Sequence, residues 1–182
     1  MSIAFIDIET TGLDFVKNEV IEIAVVLADP ITERIIEEHQ FFIEAKKGVD
    51  EEAARVNGYF VGKWKNKAQD SHEVARKLNT ILKNVDEIFA HNAAFDRSFI
   101  SAFMSNNGID KENQPKYFLD TATIAYLFKR TGYFTKVSLN HCLDKLNLTN
   151  LRSDKHSALE DARLLKEVFF KLIKKVEIKW NN

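Results

Sequence analysis

Two rhythms of apolar and polar positions run along this chain, and the first gives way to the second after about a third of its length. β-rich runs come first. Residues 2–9 (SIAFIDIE) read as a buried strand and Glu19–Ala28 (EVIEIAVVLA) as a second. Arg34–Ile43 (RIIEEHQFFI) makes a third after the turn Asp29-Pro30-Ile31-Thr32. Apolar runs bounded by turn residues in this way predict an antiparallel meander. Helical spacing then takes over, with helices expected over Ser71–Leu82, Ala93–Asn106 (stopped near Gly108) and Thr121–Arg130. Short strands are expected at Glu87–Ala90 and Tyr117–Leu119. Ser138 should cap a short helix reaching about Leu146, and a last helix should run from Ser157 to about Val176. Strands first, then short strands alternating with helices, predict an α/β fold with helices packed on one mixed sheet. No internal repeat, low-complexity tract or Pro/Gly-rich linker interrupts the chain, so a single domain over residues 1–182 is expected.

Four acids break the apolar pattern. Residues i and i+2 of a strand share a face, so Asp7 and Glu9 project side by side on the face of Phe5. Counted from Asp96, positions i+3, i+4 and i+7 are Phe99, Ile100 and Phe103, so this acid heads a core-facing helical stripe. Asp161 repeats the arrangement with Leu164, Leu165, Val168 and Leu172. One such acid could simply complement a helix dipole, and a strand pair could face water at a sheet edge. Four carboxylates aimed inward are costly. Either some of them take up protons, or cations hold them together. Four hard oxygen donors without a cysteine suit Mg²⁺ or Mn²⁺ rather than zinc.

His156 precedes Asp161 by five residues, about 140° of rotation if both were helical. Ser157-Ala158-Leu159-Glu160 fits a capping box, with Ser157 as N-cap and Glu160 at N3. His156 then stands just outside the helix, where a loop can turn it toward the acids. His91 lies at a strand end near Asp96 and either lines a cleft or satisfies a hydrogen bond. His39, His72 and His141 fall in ordinary strand or helix patterns.

Composition narrows the classes. The chain has 182 residues, 45% of them hydrophobic, enough for one well-packed domain. No stretch approaches the ~18 uninterrupted apolar residues of a membrane span. The first residues carry no basic region, long apolar segment or cleavage site, so no secretory leader is expected. Cys142 stands alone, which excludes an internal disulfide and suits a reducing cytoplasm. A net charge of −1 argues against a protein that coats nucleic acid through its phosphates, though not against one that acts on it briefly.

Three stretches carry a family resemblance. Asp7-Ile8-Glu9-Thr10-Thr11-Gly12-Leu13, His91-Asn92-Ala93-Ala94-Phe95-Asp96 and His156-Ser157-Ala158-Leu159-Glu160-Asp161-Ala162 resemble the motifs of the DEDDh (DnaQ-like) 3′–5′ exonucleases. The proofreading (epsilon) branch of bacterial DNA polymerase III is the nearest in pattern, and the likeness spans residue 3 to about residue 170. It implies an RNase H-like fold, a meander followed by parallel strands, and two divalent cations (Mg²⁺ or Mn²⁺) held by Asp7, Glu9, Asp96 and Asp161. It implies His156 as general base, and nucleoside 5′-monophosphates as products from single-stranded or frayed 3′ ends. Thr10, Thr11 and Gly12 would meet the terminal nucleotide, Leu13 would wedge against its base, and Asn92 and Phe95 would line the same pocket. Asp120 matches a family aspartate with a structural role.

Two departures bear on substrate and partner. Asn57-Gly58-Tyr59 stands where many relatives have His-Gly-Ile. The sequence ends soon after its last helix, so at most a weak or transient DNA polymerase partner is expected. DNA is favoured over RNA. Trimming of RNA, as in the RNase T and oligoribonuclease branches, is the alternative; a non-catalytic module is disfavoured because every motif position is filled.

Overall fold

The computed structural model describes residues 2–59, 64, 66–149 and 157–180, the side chains of 177–180 excepted. Five strands form one mixed sheet in the order β3-β2-β1-β4-β5. They are β1 (Ile3–Thr10), β2 (Val20–Ala28), β3 (Ile35–Phe42), β4 (Glu87–Ala90) and β5 (Leu119–Asp120). The first three pair antiparallel, as their rhythm predicted, while β1–β4 and β4–β5 pair parallel, as the family resemblance implied. The helices among the described residues are α1 (Glu51–Asn57), α2 (Ser71–Lys83), α3 (Ala93–Asn106), α4 (Thr121–Arg130), α5 (Leu139–Lys145) and α6 (Ala158–Trp180), with a 3₁₀ turn at Lys111–Asn113. None of them is long and apolar enough to cross a membrane.

Apart from Asp7, Glu9 and Thr10, strand β1 is apolar because it is the middle strand, with a core on each face. Ala4, Ile6 and Ile8 point into a core built with Val74 and Leu78 of α2 and Phe99, Ile100 and Met104 of α3. Ile3 and Phe5 point the other way, to Phe89 and to Ala158, Ala162, Leu165 and Phe169 of α6. Phe5 is fully buried there, its ring 5.6 Å from Phe89 and 5.4 Å from Phe169. Truncating such a residue to alanine costs about 3–5 kcal/mol.

Helix α6 is buried on two sides. Leu164, Val168 and Leu172 do not reach the sheet with Leu165; they pack under α4 and α5 against Ala125, Phe128 and Leu143. The single stripe read from Asp161 therefore divides between two cores. Polar links hold the remaining side of α6 to the meander. Arg163 Nε donates to Glu38 at 2.6 Å and Lys166 Nζ to the Glu33 carbonyl at 2.9 Å. The hydrogen bond from Arg163 keeps Glu38 below the usual carboxylate range.

Three elements differ from the sequence reading. Helix α1 was not expected: it is seven residues long with only Asn57 buried, so no apolar stripe marks it. Strand β5 is Leu119–Asp120 rather than Tyr117–Leu119, and it pairs with the last two residues of β4, Phe89 and Ala90. Tyr117 lies outside the ladder and is exposed. The last helix runs on to Trp180, past the expected end near Val176.

Candidate active site

The pairing of β1 with β4 stops at Phe5, and β4 itself ends at Ala90. Asp7 and Glu9 thus extend past their parallel neighbour, at the carboxyl ends of the parallel strands. Crevices at such ends, where chain connections diverge to opposite faces of a sheet, are the usual ligand sites of α/β proteins. Strand alternation turns both acids to the face that α6 covers, and α6 begins there. Asp161, in its first turn, is 3% exposed and Glu9 8%. One carboxylate oxygen from each of Asp7, Glu9 and Asp161 lies within 4.8 Å of the other two.

Asp96 is not in that group of three. It sits in the first turn of α3, which leaves β4 for the opposite face of the sheet, and is 4% exposed. Burial, with the charge of Asp120 adding to it, pushes its carboxyl up to about 7. The structure therefore assembles three of the four predicted acids, with the fourth at the same end of the sheet from the other side. His156 lies outside the described residues. The Ser157 carbonyl accepts the Asp161 amide at 2.9 Å, as an N-cap does, and its hydroxyl donates to Glu22.

Beside the acids opens a cleft of ≈ 620 Å³, walled by Glu9, Thr10, Gly12, Leu13, Asn57 and Phe95 among others. Thr10 Oγ1 donates to the Gly12 carbonyl at 2.7 Å, tightening the turn after β1. At Gly12 a Cβ would collide with the Asp50 carboxylate and the Asn18 amide as they stand, so a larger residue would displace those two side chains. Leu13 is 86% exposed on the cleft wall; core packing does not account for it. Phe95 is half-buried, with its ring 4.8 Å from Phe99.

One predicted contact is placed elsewhere. Thr11 is fully buried, its hydroxyl accepting the Glu19 amide at 2.9 Å and its carbonyl accepting the Asp50 amide at 2.8 Å. It joins loops rather than facing the cleft. Asn92 takes a left-handed conformation (φ 74°) ahead of α3, and its amide donates to Asp120 Oδ1 at 2.9 Å. Asp120 also receives the Ala122 amide, in keeping with a structural role. His91 satisfies hydrogen bonds: Nε2 meets the Val137 carbonyl at 2.7 Å and Nδ1 meets Thr121 Oγ1 at 2.9 Å. Its burial lowers its pKa.

The sequence marks Asn57 only as a departure from relatives, and nothing in its reading singles out Glu22. Asn57, at the end of α1, donates from Nδ2 to the Thr10 carbonyl at 3.1 Å and braces the cleft. The pattern Asp50-Glu51-Glu52 before it and Gly58 after it, a helix start and stop, was the available signal. Glu22 of β2 is 2% exposed and is the cross-strand partner of Glu9. A lone acid in the run VIEIAVV could have flagged it.

The sequence profile of the exonuclease family named for RNase T matches residues 4–169. This chain belongs to that exonuclease family. The match bears out the resemblance carried by the three motifs. Among the relatives of this chain is the DNA polymerase III PolC-type protein of Thermotoga petrophila, 32% identical over 171 residues; the match covers 92% of this chain and 12% of that protein. DNA polymerase III subunit epsilon of Buchnera aphidicola subsp. Baizongia pistaciae is 30% identical over 173 residues, covering 90% of this chain and 67% of that subunit. This chain thus spans only a small part of the PolC-type relatives. An exonuclease I structure superposes with a TM-score of 0.81 at 16% identity, over 96% of this chain and 41% of that one. Escherichia coli exonuclease I in complex with a dA16 oligonucleotide gives 0.75 at 17% identity, over 96% and 41%. The mixed sheet with its flanking helices is the RNase H-like arrangement of these exonucleases.

Proposed function

We propose that this chain is a 3′–5′ exonuclease domain that releases nucleoside 5′-monophosphates from single-stranded or frayed DNA ends, using two Mg²⁺ or Mn²⁺ ions. The observation that carries the reading is the approach of Asp7, Glu9 and Asp161 to within 4.8 Å of one another at the head of a cleft. The family match over residues 4–169 supports it. The donor set fits the cations: among the described residues, every group in the cluster is a carboxylate oxygen. A divalent cation there would supply a nucleophile at neutral pH and stabilise charge on the transferring phosphate.

The chain's own groups supply the rest. Asp7, Glu9 and Asp161 hold the cations, and Asp96 adds a fourth acid at the same strand ends. Leu13 and Phe95 give the cleft apolar surfaces on which a terminal base can rest whatever its identity, which suits removal of any nucleotide. His156, next to Ser157, is the candidate general base. Preference for DNA is supported by the polymerase relatives, and any polymerase partner by the same names. Incubation of the purified chain and Mg²⁺ with matched 5′-labelled single-stranded DNA and RNA tests the reading. A ladder shortening from the 3′ end of DNA is expected. Faster loss of RNA would move the chain to the RNA-trimming branch, and intact strands would refute the activity.

A further inference from the structure

Glu22 breaks the rule that governs the rest of its strand face. Ala24, Val26 and Ala28, on the same side of β2, are apolar and pack in the core beneath α6. Glu22 is as buried as they are, and it stands beside a cluster that already holds three carboxylates. Burying a further carboxylate there is costly, and an apolar residue would serve plain packing better. Its bonds show what the carboxylate does. Glu22 Oε1 accepts from Gln40 Nε2 of β3 at 2.8 Å and from the Ser157 hydroxyl at 3.1 Å. The Ser157 carbonyl in turn accepts the Asp161 amide at 2.9 Å. A continuous chain of bonds therefore runs from β3 through β2 to the first turn of α6.

We propose that Glu22 is a positioning residue for the carboxylate cluster: through Ser157 it sets where Asp161 stands relative to Asp7 and Glu9. When ionised, the three carboxylates repel one another, which would push the start of α6 away from β1. The links at Arg163 and Lys166 act further along the helix, so the bond at Ser157 opposes that movement at the site itself. Gln40 fixes the Glu22 side chain from the far side. The inference rests on the proposed metal-dependent activity, since the arrangement it maintains is that of cation ligands.

The test is titration of the purified protein with Mn²⁺ by calorimetry, alongside turnover of labelled single-stranded DNA, at a temperature well below each variant's Tm. Glu22→Ala and Ser157→Ala should each weaken Mn²⁺ binding by roughly tenfold, the lower end of the effect of losing outer partners of metal ligands. Because both break one bond, the double variant should be little weaker than either single one. Glu22→Gln keeps an oxygen that can accept both bonds and should stay within about threefold of wild type. If Glu22→Ala does not fold, Ser157→Ala decides by itself. Wild-type Mn²⁺ affinity in the folded alanine variants overturns the inference, as does a loss in Glu22→Gln equal to that in Glu22→Ala. Wild-type protein that binds Mn²⁺ but shortens no strand refutes the proposed activity and leaves the positioning role standing; wild-type protein that binds no Mn²⁺ refutes both.

Discussion

Asp96→Asn should make the metal-free protein more stable while removing its activity. The carboxyl is 4% exposed, and burial, reinforced by the charge of Asp120, pushes it up to about 7. An aspartate in an unfolded chain titrates near 3.9. Between those two values the folded state holds more protons than the unfolded state, so stability falls as pH rises from about 4 to about 7. Above about 7 the penalty is fully developed. A shift of roughly three units at ~1.4 kcal/mol per unit sets an upper bound of about 4 kcal/mol. Asparagine has nearly the same shape and cannot ionise, so it avoids this cost. In a domain of this size 1 kcal/mol moves Tm by about 2–4 °C, so a rise of roughly 5–15 °C is expected near pH 8. Urea unfolding followed by circular dichroism, with EDTA present across a pH series, measures it. The gap between the Asp96→Asn variant and wild type should nearly close at about pH 4 and widen steadily to about pH 8. A gap that does not change with pH, or a variant less stable than wild type at about pH 8, would refute the assignment of the cost to a buried charge. In the same preparations, with Mg²⁺ restored, turnover should fall at least ~10²-fold, as expected when a group serving metal chemistry is lost.

The remaining expectations use the same substrate assay. Asp7→Ala, Glu9→Ala and Asp161→Ala should each lower turnover at least ~10²-fold, because cations held there supply both nucleophile and charge stabilisation; near-wild-type rates in any two would remove the metal-dependent reading. His156→Ala should lose roughly 10²–10⁴-fold, the worth of a general base, while still binding Mn²⁺. Calorimetry showing binding abolished as well would make His156 a ligand instead. Leu13→Ala, at a position 86% exposed, should change stability by no more than ~0.5 kcal/mol. It should nonetheless raise KM for single-stranded DNA several-fold; an unchanged KM would take Leu13 out of the substrate site.

What the sequence determined by itself is what depends on local period. Alternation along β1 put Asp7 and Glu9 on the face of Phe5, and 3.6-residue spacing placed α3 at Ala93–Asn106, the bounds found in the fold. Those features follow from backbone geometry and need no knowledge of neighbours. Helix α1 needed the fold, because its seven residues bury one side chain and are secured by Asn57 on Thr10 and by Gly58 at φ 65°. The grouping of the acids also needed it. Asp96 and Asp161 head similar stripes, yet α3 and α6 cover opposite faces of the sheet, and the path of the chain after β4 decides that. The family resemblance put Thr11 against substrate; its bond to the Glu19 amide, across a loop whose closure no local pattern announces, needed the fold. Glu22 is the extreme case: its partner Ser157 is 135 residues away. A hydrogen bond of that span exists only once β2 and α6 have packed, so periodicity could show an acid in an apolar strand, and tertiary packing alone could show what it holds.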